Sequence, residues 1–361
     1  MKVKVIPDIL LNFPFSIYMF VEIPVSSIIM MRLALTTDRT IMTTARGILV
    51  VVMFAYVSFL TACTGGEGEG KVVKKETGRV VRRAMGSDRW FPGNKAELAS
   101  MVSNFIEKAE SPKIESRIVG VIAPHAGYIY SGKVAGYTFR TVRDNARAGH
   151  KPETVVILGF SHRAGFQGVA LMDGDAIETP IGSATLDKDA ASILAQNRPT
   201  IFPEYAPHNG EHSAENEIPF VQTALPDAKL VVALIGEHSP ATIKELVAGL
   251  SELAKKKQIL VVASSDMLHD ADYDLVSKTD KATLAKVAAM DSVGLMKSWS
   301  YSSQVFCGIG PVETVMQFAE AQGCKKGTVL HYRNSGDDFP DSRGSWVVGY
   351  GAVAFTVPGS H

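Results

Sequence analysis

Five short runs rich in valine, isoleucine and leucine alternate along this chain with longer stretches whose apolar residues recur at helical spacing. The runs are RIVGVIA (117–123), TVVILGF (154–160), LVVALIG (230–236), ILVVASS (259–265) and WVVGYGAVAFT (346–356). The helical stretches are residues 94–110, 186–197, 239–256 and 282–299. Runs of this length are typical of strands buried on both faces, and their alternation with helices indicates a sheet covered by helices. We therefore predict a single α/β domain with a central, mostly parallel sheet flanked by helices.

Composition excludes two classes of protein. The 361 residues include 37 basic and 37 acidic side chains, whereas a nucleic-acid-binding protein usually carries a basic excess. We therefore expect no nucleic-acid partner. Only three cysteines are present, at positions 63, 307 and 324, which is too few for a disulfide scaffold.

Residues 42–62 have the pattern of a secretory signal peptide. Arg46 precedes an apolar segment from 47 to 60 that is too short to span a bilayer comfortably. The segment ends in Leu-Thr-Ala-Cys, which resembles a bacterial lipobox, so we interpret Cys63 as the lipidated N-terminus of an anchored lipoprotein. The alternative is an uncleaved membrane anchor with an incidental cysteine. Lipidation would place the protein in the bacterial cell envelope, facing the periplasm or the exterior, with the membrane as its partner.

The segments around this signal are interpreted separately. Residues 1–41 precede a complete signal, and we interpret them as a start-site error, with a second membrane segment as the alternative. Residues 63–81 form a glycine-rich and then basic tether, which is either a solvated linker or a segment lying against anionic lipid. The folded domain is expected to cover residues 82–358.

Three of the predicted strands are followed directly by histidines. RIVGVIA leads to His125, TVVILGF leads to His162, and ILVVASS leads to Asp266 and His269. Ligands of open α/β sheets bind beyond the carboxyl ends of the strands, so these side chains are expected to meet in one crevice. Converging imidazoles favour a transition-metal site.

A third metal donor is expected from Cys307. It lies in FCGIGP, a glycine-flanked turn ahead of a helix predicted to begin near Pro311. A helix N-terminus lowers the pKa of a thiol, and the thiolate is the form that binds metal. Cys324 lacks such a context and is interpreted as structural. A disulfide between the two cysteines would remove the thiolate, and we expect Cys307 to stay reduced.

Seven motifs in order now carry a family resemblance. They are APHAGYIYSG, ILGFSH, ETPIG, EHSAENEIPF, SSDMLHD, FCGIGP and VVGYGAVAF. Together they resemble the MEMO family, known in bacteria as AmmeMemoRadiSam system protein B, over about residues 82–356. The family's fold is similar to that of the class III extradiol dioxygenases, whose iron is held by two histidines and a carboxylate.

The resemblance implies roles for individual residues. His125 and His162 match the family's metal-binding histidines, and Cys307 matches the cysteine standing where the dioxygenases have their carboxylate. His269 matches the dioxygenases' general base. Asp266 is its neighbour in the motif and is expected to orient the His269 ring or to stabilise its charged form.

Further positions match the family's pocket. Trp90, Glu211 and His212 are implied to lie near the bound ligand, with Glu215 in the same motif. Glu217 stands where relatives often carry Gln or His, and we interpret it as a peripheral change. The family name also implies AMMECR and radical-SAM partners.

Two functions of different class fit these residues. The first is a non-heme metal-dependent, dioxygenase-like oxidoreductase. The second is a non-enzymatic protein that binds copper or iron or serves as a scaffold, because a thiolate is softer than a carboxylate and is itself oxidised by dioxygen. A weaker third reading is zinc-assisted hydrolysis. One transition-metal ion is expected, iron or copper with zinc possible, beside a small-molecule or peptide ligand whose identity stays open.

Overall fold

The structure is a computed structural model that describes residues 17–19, 31–33, 78–163 and 165–357. The chain divides into two compact units, residues 1–76 and 77–361. In the first unit, strands β1 (Ile17–Met19) and β2 (Met31–Leu33) pair antiparallel. The predicted signal peptide and Cys63 lie outside the described residues.

A nine-stranded sheet forms the centre of the second unit. Its strands are β4 (Arg117–Ala123), β5 (Thr154–Phe160), β6 (Val169–Leu171), β9 (Ile201–Pro203), β10 (Lys229–Ile235), β11 (Ile259–Ser264), β12 (His269–Asp270), β13 (Gly327–Asn334) and β14 (Val347–Val357). The strand order is β12-β14-β4-β11-β5-β10-β6-β9, with β13 paired to β14. The five predicted strands are all present, within one residue of the predicted limits.

The middle of this sheet is parallel. Strands β4, β11, β5 and β10 run in the same direction, and they are the four whose sequences are continuous apolar runs. Strands β14 and β6 flank them antiparallel, and β12 and β13 are also antiparallel to β14. Because the four parallel strands have their carboxyl ends at one edge, the residues that follow them are brought together there.

Nine α-helices connect or cover the strands of residues 78–163 and 165–357. They are α1 (Lys95–Lys108), α2 (Tyr128–Arg147), α3 (Lys188–Ala195), α4 (Ile218–Ala224), α5 (Pro240–Ala254), α6 (Tyr273–Ala288), α7 (Ser292–Ser298), α8 (Ile309–Ala321) and α9 (Ser335–Asp338). The α/β prediction is thus confirmed, with the sheet flanked by helices. Buried apolar side chains form two clusters, one on each face of the sheet.

One predicted helix is divided. The stretch predicted at residues 282–299 forms the end of α6 and all of α7. Met290 between them has a φ of 58°, which a helix does not tolerate, and Asp291 caps α7 by accepting the Gly294 N–H.

A second, smaller sheet has three strands. Strands β3 (Val81–Arg83), β7 (Ala176–Thr179) and β8 (Gly182–Thr185) form it. The turn after β3 leads to Trp90 and then to α1. Among the described residues, none of the helices combines the length and apolar character that crossing a bilayer requires.

Candidate metal centre

Two strand ends and one helix start bring three metal-binding side chains together. His125 follows β4, His162 follows β5, and Cys307 lies two residues before α8. One donor atom from each of the three lies within 4.8 Å of the other two. The predicted convergence of these side chains is therefore present in the structure.

Glu211 fixes the orientation of the His162 ring. Its Oε1 atom lies 2.9 Å from His162 Nδ1, and its Oε2 atom accepts the backbone N–H of His162 at 2.7 Å. A carboxylate on one ring nitrogen holds the hydrogen there and leaves the lone pair of the other nitrogen, Nε2, free for a metal. Burial raises the pKa of Glu211, but the hydrogen bonds from the His162 ring and from the Ser213 and His162 backbone N–H groups hold it well below its usual value.

Ser264 fixes the orientation of the His125 ring in the same way. The Nδ1 atom of His125 lies 3.0 Å from Ser264 Oγ, at the end of β11. The opposite nitrogen, Nε2, lies 3.5 Å from Cys307 Sγ. His125 therefore presents Nε2 to Cys307, and the contact of His162 Nδ1 with Glu211 leaves Nε2 as the available nitrogen of His162.

Burial keeps the His125 ring neutral. It lowers the pKa of His125 well below the ordinary value, and the nearby His162 lowers it further. A neutral imidazole has a free lone pair at pH 7, which is the form that binds metal.

The pKa of the Cys307 thiol is shifted in the direction opposite to the prediction. Burial, followed by the negative charge of Asp266, raises the pKa of Cys307 far above its ordinary value. The hydrogen bond from Ser265 and the neighbouring backbone N–H groups lower it less. The helix N-terminus was expected to lower the pKa of this thiol, but burial outweighs it. The side chain is 6% exposed, so water cannot stabilise a thiolate there. Without metal, Cys307 is a thiol whose S–H can point to His125 Nε2.

The three donors fit one transition-metal ion. Three donor atoms that are at most 4.8 Å apart all lie within about 2.8 Å of a common centre. This distance is close to metal–ligand distances of about 2.0–2.3 Å. Two imidazoles and one sulfur are donors suited to iron, copper or zinc and not to magnesium or calcium. His125, His162 and Cys307 would therefore hold the ion.

A second group of possible ligands, formed by His162, Glu211 and His212, is a poorer site. Oxygen Oε1 of Glu211 already accepts the backbone N–H groups of His212 and Ser213, each at 2.8 Å, besides the His162 ring. Few lone pairs remain for an ion, so Glu211 serves as an orienting group for the histidines.

Asp266 lies on the loop after β11, and His269 is the first residue of β12. Asp266 Oδ1 accepts the backbone N–H groups of His125 and Ala126 at 2.8 and 3.2 Å. No hydrogen bond joins Asp266 to His269 among the described residues. Burial lowers the pKa of His269, and the charge of Asp266 raises it in opposition. Of the two predicted roles, charge stabilisation of His269 is the one that this geometry supports.

A cavity of about 900 Å³ opens beside the metal-binding histidines. His125, His162, His212, Asp266 and His269 line its inner wall, and Trp90, Tyr130 and Trp346 contribute aromatic surface. The Trp90 ring stacks on His212 with centroids 3.9 Å apart and planes within 5°. Trp90 and His212 therefore lie at the ligand cavity as expected, whereas Glu211 lies behind the histidines.

Glu215 anchors the turn that leads to Trp90. Its Oε1 atom accepts the Gly86 N–H at 2.6 Å, and burial raises the pKa of Glu215 to about 7. A glycine is required at 86, because a Cβ there would lie 2.7 Å from the Phe91 ring.

Glu217 is not peripheral, and that interpretation was wrong. Its side chain is fully buried, and its Oε1 atom lies 2.9 Å from Ser264 Oγ, directly behind His125. Sequence reasoning also missed Ser264 and Asp280. The available signal for Ser264 was a hydroxyl at the end of an apolar strand that leads into the site.

Metal binding should strengthen with pH. Cys307 is protonated in the metal-free protein and must lose its proton to bind an ion, whereas His125 is already neutral. We expect the Zn(II) association constant to rise about tenfold per pH unit between pH 6 and 8. Calorimetry in buffers of different ionisation enthalpy should show about one proton released per ion. A pH-independent affinity with no proton release would contradict this thiol assignment.

Asp280 on α6 supports the loop between Asp266 and His269. Its Oδ1 atom accepts the Leu268 N–H at 3.2 Å, and its Oδ2 atom lies 2.9 Å from the Tyr332 hydroxyl. The carboxyl group is fully buried and has no ion pair with any residue in 78–163 or 165–357, and burial raises its pKa from 3.8 to about 7.

This raised pKa predicts a pH-dependent stability. Between pH 4 and 7 the unfolded chain loses the Asp280 proton while the folded protein keeps it, so the free energy of unfolding falls as pH rises. The free energy of unfolding should fall by about 2–4 kcal/mol over this pH range. Asp280→Asn keeps both hydrogen bonds without a charge and should gain most of that stability at pH 8. Urea unfolding at pH 5 and pH 8 measures it, and equal pH dependence in both proteins would refute the assignment.

An α/β sheet that brings two histidines and a cysteine to one edge, beside a cavity, defines a helix-flanked α/β protein with a candidate mononuclear metal centre. The chain belongs to the MEMO family, since the family described as Memo-like protein matches residues 82–354. The resemblance seen in the motifs is thereby confirmed.

Two relatives carry the same family name. A MEMO1 family protein of Nitrosopumilus maritimus is 32% identical over 281 residues, covering 76% of this chain and all of the relative. One from Methanopyrus kandleri is 30% identical, covering 74% of this chain and 96% of the relative. A solved structure of an uncharacterized Escherichia coli K12 protein is 14% identical with a TM-score of 0.44, covering 65% of this chain and 99% of that one.

Proposed function

We propose that this protein binds one transition-metal ion through His125, His162 and Cys307 and acts as a non-heme metal-dependent oxidoreductase of the dioxygenase type. The observation that supports it most is the meeting of the three donor atoms within 4.8 Å of one another, beside a cavity large enough for a small ligand. Iron or copper is the ion we expect, with zinc as a further candidate.

The chain's own residues supply binding and proton transfer. A bound ion would offer open positions for dioxygen and for a ligand hydroxyl. His269 lines the cavity, and burial lowers its pKa, so its neutral ring can take the proton of that hydroxyl. The charge of Asp266 stabilises the ring once it is protonated. Trp90, held flat against His212, offers an aromatic surface for the ligand.

The second candidate is a carrier of copper or iron without a reaction. The observation in its favour is the buried sulfur donor, because a soft thiolate suits Cu(I) and is itself open to oxidation by dioxygen. The same three ligands would serve both functions. Only the consumption of dioxygen separates them.

Oxygen uptake is the deciding experiment. The full chain, purified anaerobically in detergent, is loaded with Fe(II) or Cu(I) and mixed with a panel of catechols in an oxygen electrode. Ligand-dependent uptake supports the oxidoreductase. Stoichiometric metal without uptake supports the carrier, and failure to bind any of the ions contradicts both functions.

We also propose that the protein is anchored to the membrane of the cell envelope through a lipidated Cys63. The support is the sequence Leu-Thr-Ala-Cys after a short apolar segment, followed by a glycine-rich tether. Cys63→Ser should release the protein from membranes, and globomycin should block its processing. Unchanged membrane association of that variant would contradict lipid anchoring.

A further inference from the structure

The cavity beside the candidate metal centre is larger than one aromatic ring needs. Its volume is about 900 Å³, whereas a cavity of roughly 150 Å³ accommodates a benzene molecule. His125, His162 and His269 line its inner wall, so a single ring in contact with them would occupy only a small part of the space. The rest of the cavity lies toward its opening.

Large apolar side chains line the cavity where it opens to water. Ile129 is 60% exposed, Tyr130 is 41% exposed and Trp346 is 59% exposed, and all three line the cavity. Phe339 is also exposed, and its ring centroid lies 4.9 Å from that of Tyr130. These four side chains are called the outer patch. Single exposed apolar residues are ordinary, but a group of them around one cavity indicates a binding surface.

The segment that carries Trp346 is fixed by several contacts. The Arg343 guanidinium lies over the Tyr273 ring at 3.8 Å from its centroid, and the Tyr273 hydroxyl donates to Asp337 at 2.7 Å. The backbone N–H of Trp346 donates to the Ser342 carbonyl oxygen at 2.9 Å. An aromatic side chain that is already held in place loses little conformational entropy when a ligand packs against it.

The outer patch is continuous with the inner wall of the cavity. The Trp346 ring centroid lies 5.8 Å from that of His269, and Ile129 and Tyr130 lie in the first turn of α2, four and five residues after His125. A ligand that contacts these histidines can therefore contact the outer patch at the same time.

We propose that the outer patch is a second subsite of this cavity and binds an apolar ring of the ligand. The ligand then has two parts, a small polar head at the histidines and a neutral aromatic body at the outer patch. Asp88, Arg89 and Glu97 also line the cavity, but they carry charges of both signs and do not favour a highly charged ligand. The role of the head rests on the proposed function, whereas the subsite for the body does not. Trp346 is its main specificity-determining residue.

Catechol and 4-phenylcatechol test this subsite, because they share a head and differ by one apolar ring. The full chain in lipid nanodiscs is loaded with Zn(II), which is redox-inert, and is titrated with each compound by calorimetry under anaerobic conditions. 4-Phenylcatechol should bind about 10–100-fold more tightly than catechol, as expected for the burial of one ring.

Three variants assign this preference to the outer patch. Trp346→Ser should lower the preference to about threefold or less and leave the affinity for catechol within about twofold of wild type. Trp346→Phe should keep most of the preference, because it keeps an aromatic ring. Val293→Ser is the matched control, since it also removes an exposed apolar side chain, but one on α7 that does not line the cavity. It should change neither affinity.

The contrary results are distinct from a failure of the proposed function. Equal affinities of wild type for the two compounds, or a preference that Trp346→Ser retains, would overturn the subsite. So would the absence of any binding of 4-phenylcatechol, with or without metal. If the chain takes up no metal but still binds 4-phenylcatechol in a manner that depends on Trp346, the proposed function fails and the subsite is supported.

Lipid is the competing occupant of the outer patch. The fluorescence difference between wild type and Trp346→Phe isolates the signal of Trp346. That signal should change when 4-phenylcatechol is added and should not be quenched by brominated lipid in the nanodisc. Quenching by brominated lipid with no response to 4-phenylcatechol would overturn the subsite and indicate that the patch lies against the bilayer.

Discussion

Replacing Cys307 by alanine should lower the affinity for Zn(II) or Co(II) by about a thousandfold or more. The side chain supplies one of three protein donors, and zinc sites of this kind bind with roughly 10–16 kcal/mol in total, so one ligand is worth about 4 kcal/mol. His125→Ala should have an effect of the same order. The Co(II) form of the wild-type protein should show sulfur-to-metal charge-transfer absorption, and Cys307→Ala should lose it.

Cys324→Ala is the matched control for this measurement. Cys324 is also buried, but its Sγ atom donates to the Lys326 carbonyl oxygen at 3.3 Å, and it does not belong to either group of candidate metal ligands among the described residues. That variant should keep both the affinity and the charge-transfer band. If Cys307→Ala binds as tightly as Cys324→Ala, sulfur is not a ligand, and the proposed centre is wrong.

Much of the candidate site could be predicted from the sequence because parallel strands end at a common edge. An apolar run of seven residues, such as 117–123 or 154–160, identifies a buried strand whatever its neighbours are. A histidine directly after such a run is then placed at the edge of the sheet without further information. Cys307 was harder to place by this rule, because it precedes a helix, and its assignment came from its glycine-flanked turn ahead of that helix and from the family resemblance.

The residues that set the chemistry of these ligands could not be predicted in the same way. Ser264 and Glu217 lie 47 positions apart, and the hydrogen bond between them is a property of packing alone. The high pKa of the Cys307 thiol is also a property of the folded protein, because burial outweighs the helix end that the sequence suggests. Charge and burial around a ligand depend on tertiary neighbours, which no local pattern encodes.

Replacing His269 by glutamine should leave metal binding intact and lower catechol-dependent oxygen uptake by about 10²–10⁴-fold, the usual contribution of a general base. Glutamine fills similar space and forms hydrogen bonds, but it cannot take up a proton. The His269 ring lines the cavity and lies near Trp346, with ring centroids 5.8 Å apart, so a ligand in the cavity can reach it. Burial lowers its pKa, so the ring is neutral and able to accept a proton at pH 7.

His331→Gln is the control that isolates this role. His331 is also a histidine whose pKa is lowered by burial, but its ring stacks on Tyr137 at 3.9 Å and does not line the cavity. Its replacement should change neither metal content nor oxygen uptake. If His269→Gln loses the metal, His269 is a ligand and not a base. If His269→Gln keeps both the metal and full oxygen uptake, the proton of the ligand hydroxyl must be taken by another group. His269 would then not be the general base, while the proposed metal centre would be unaffected.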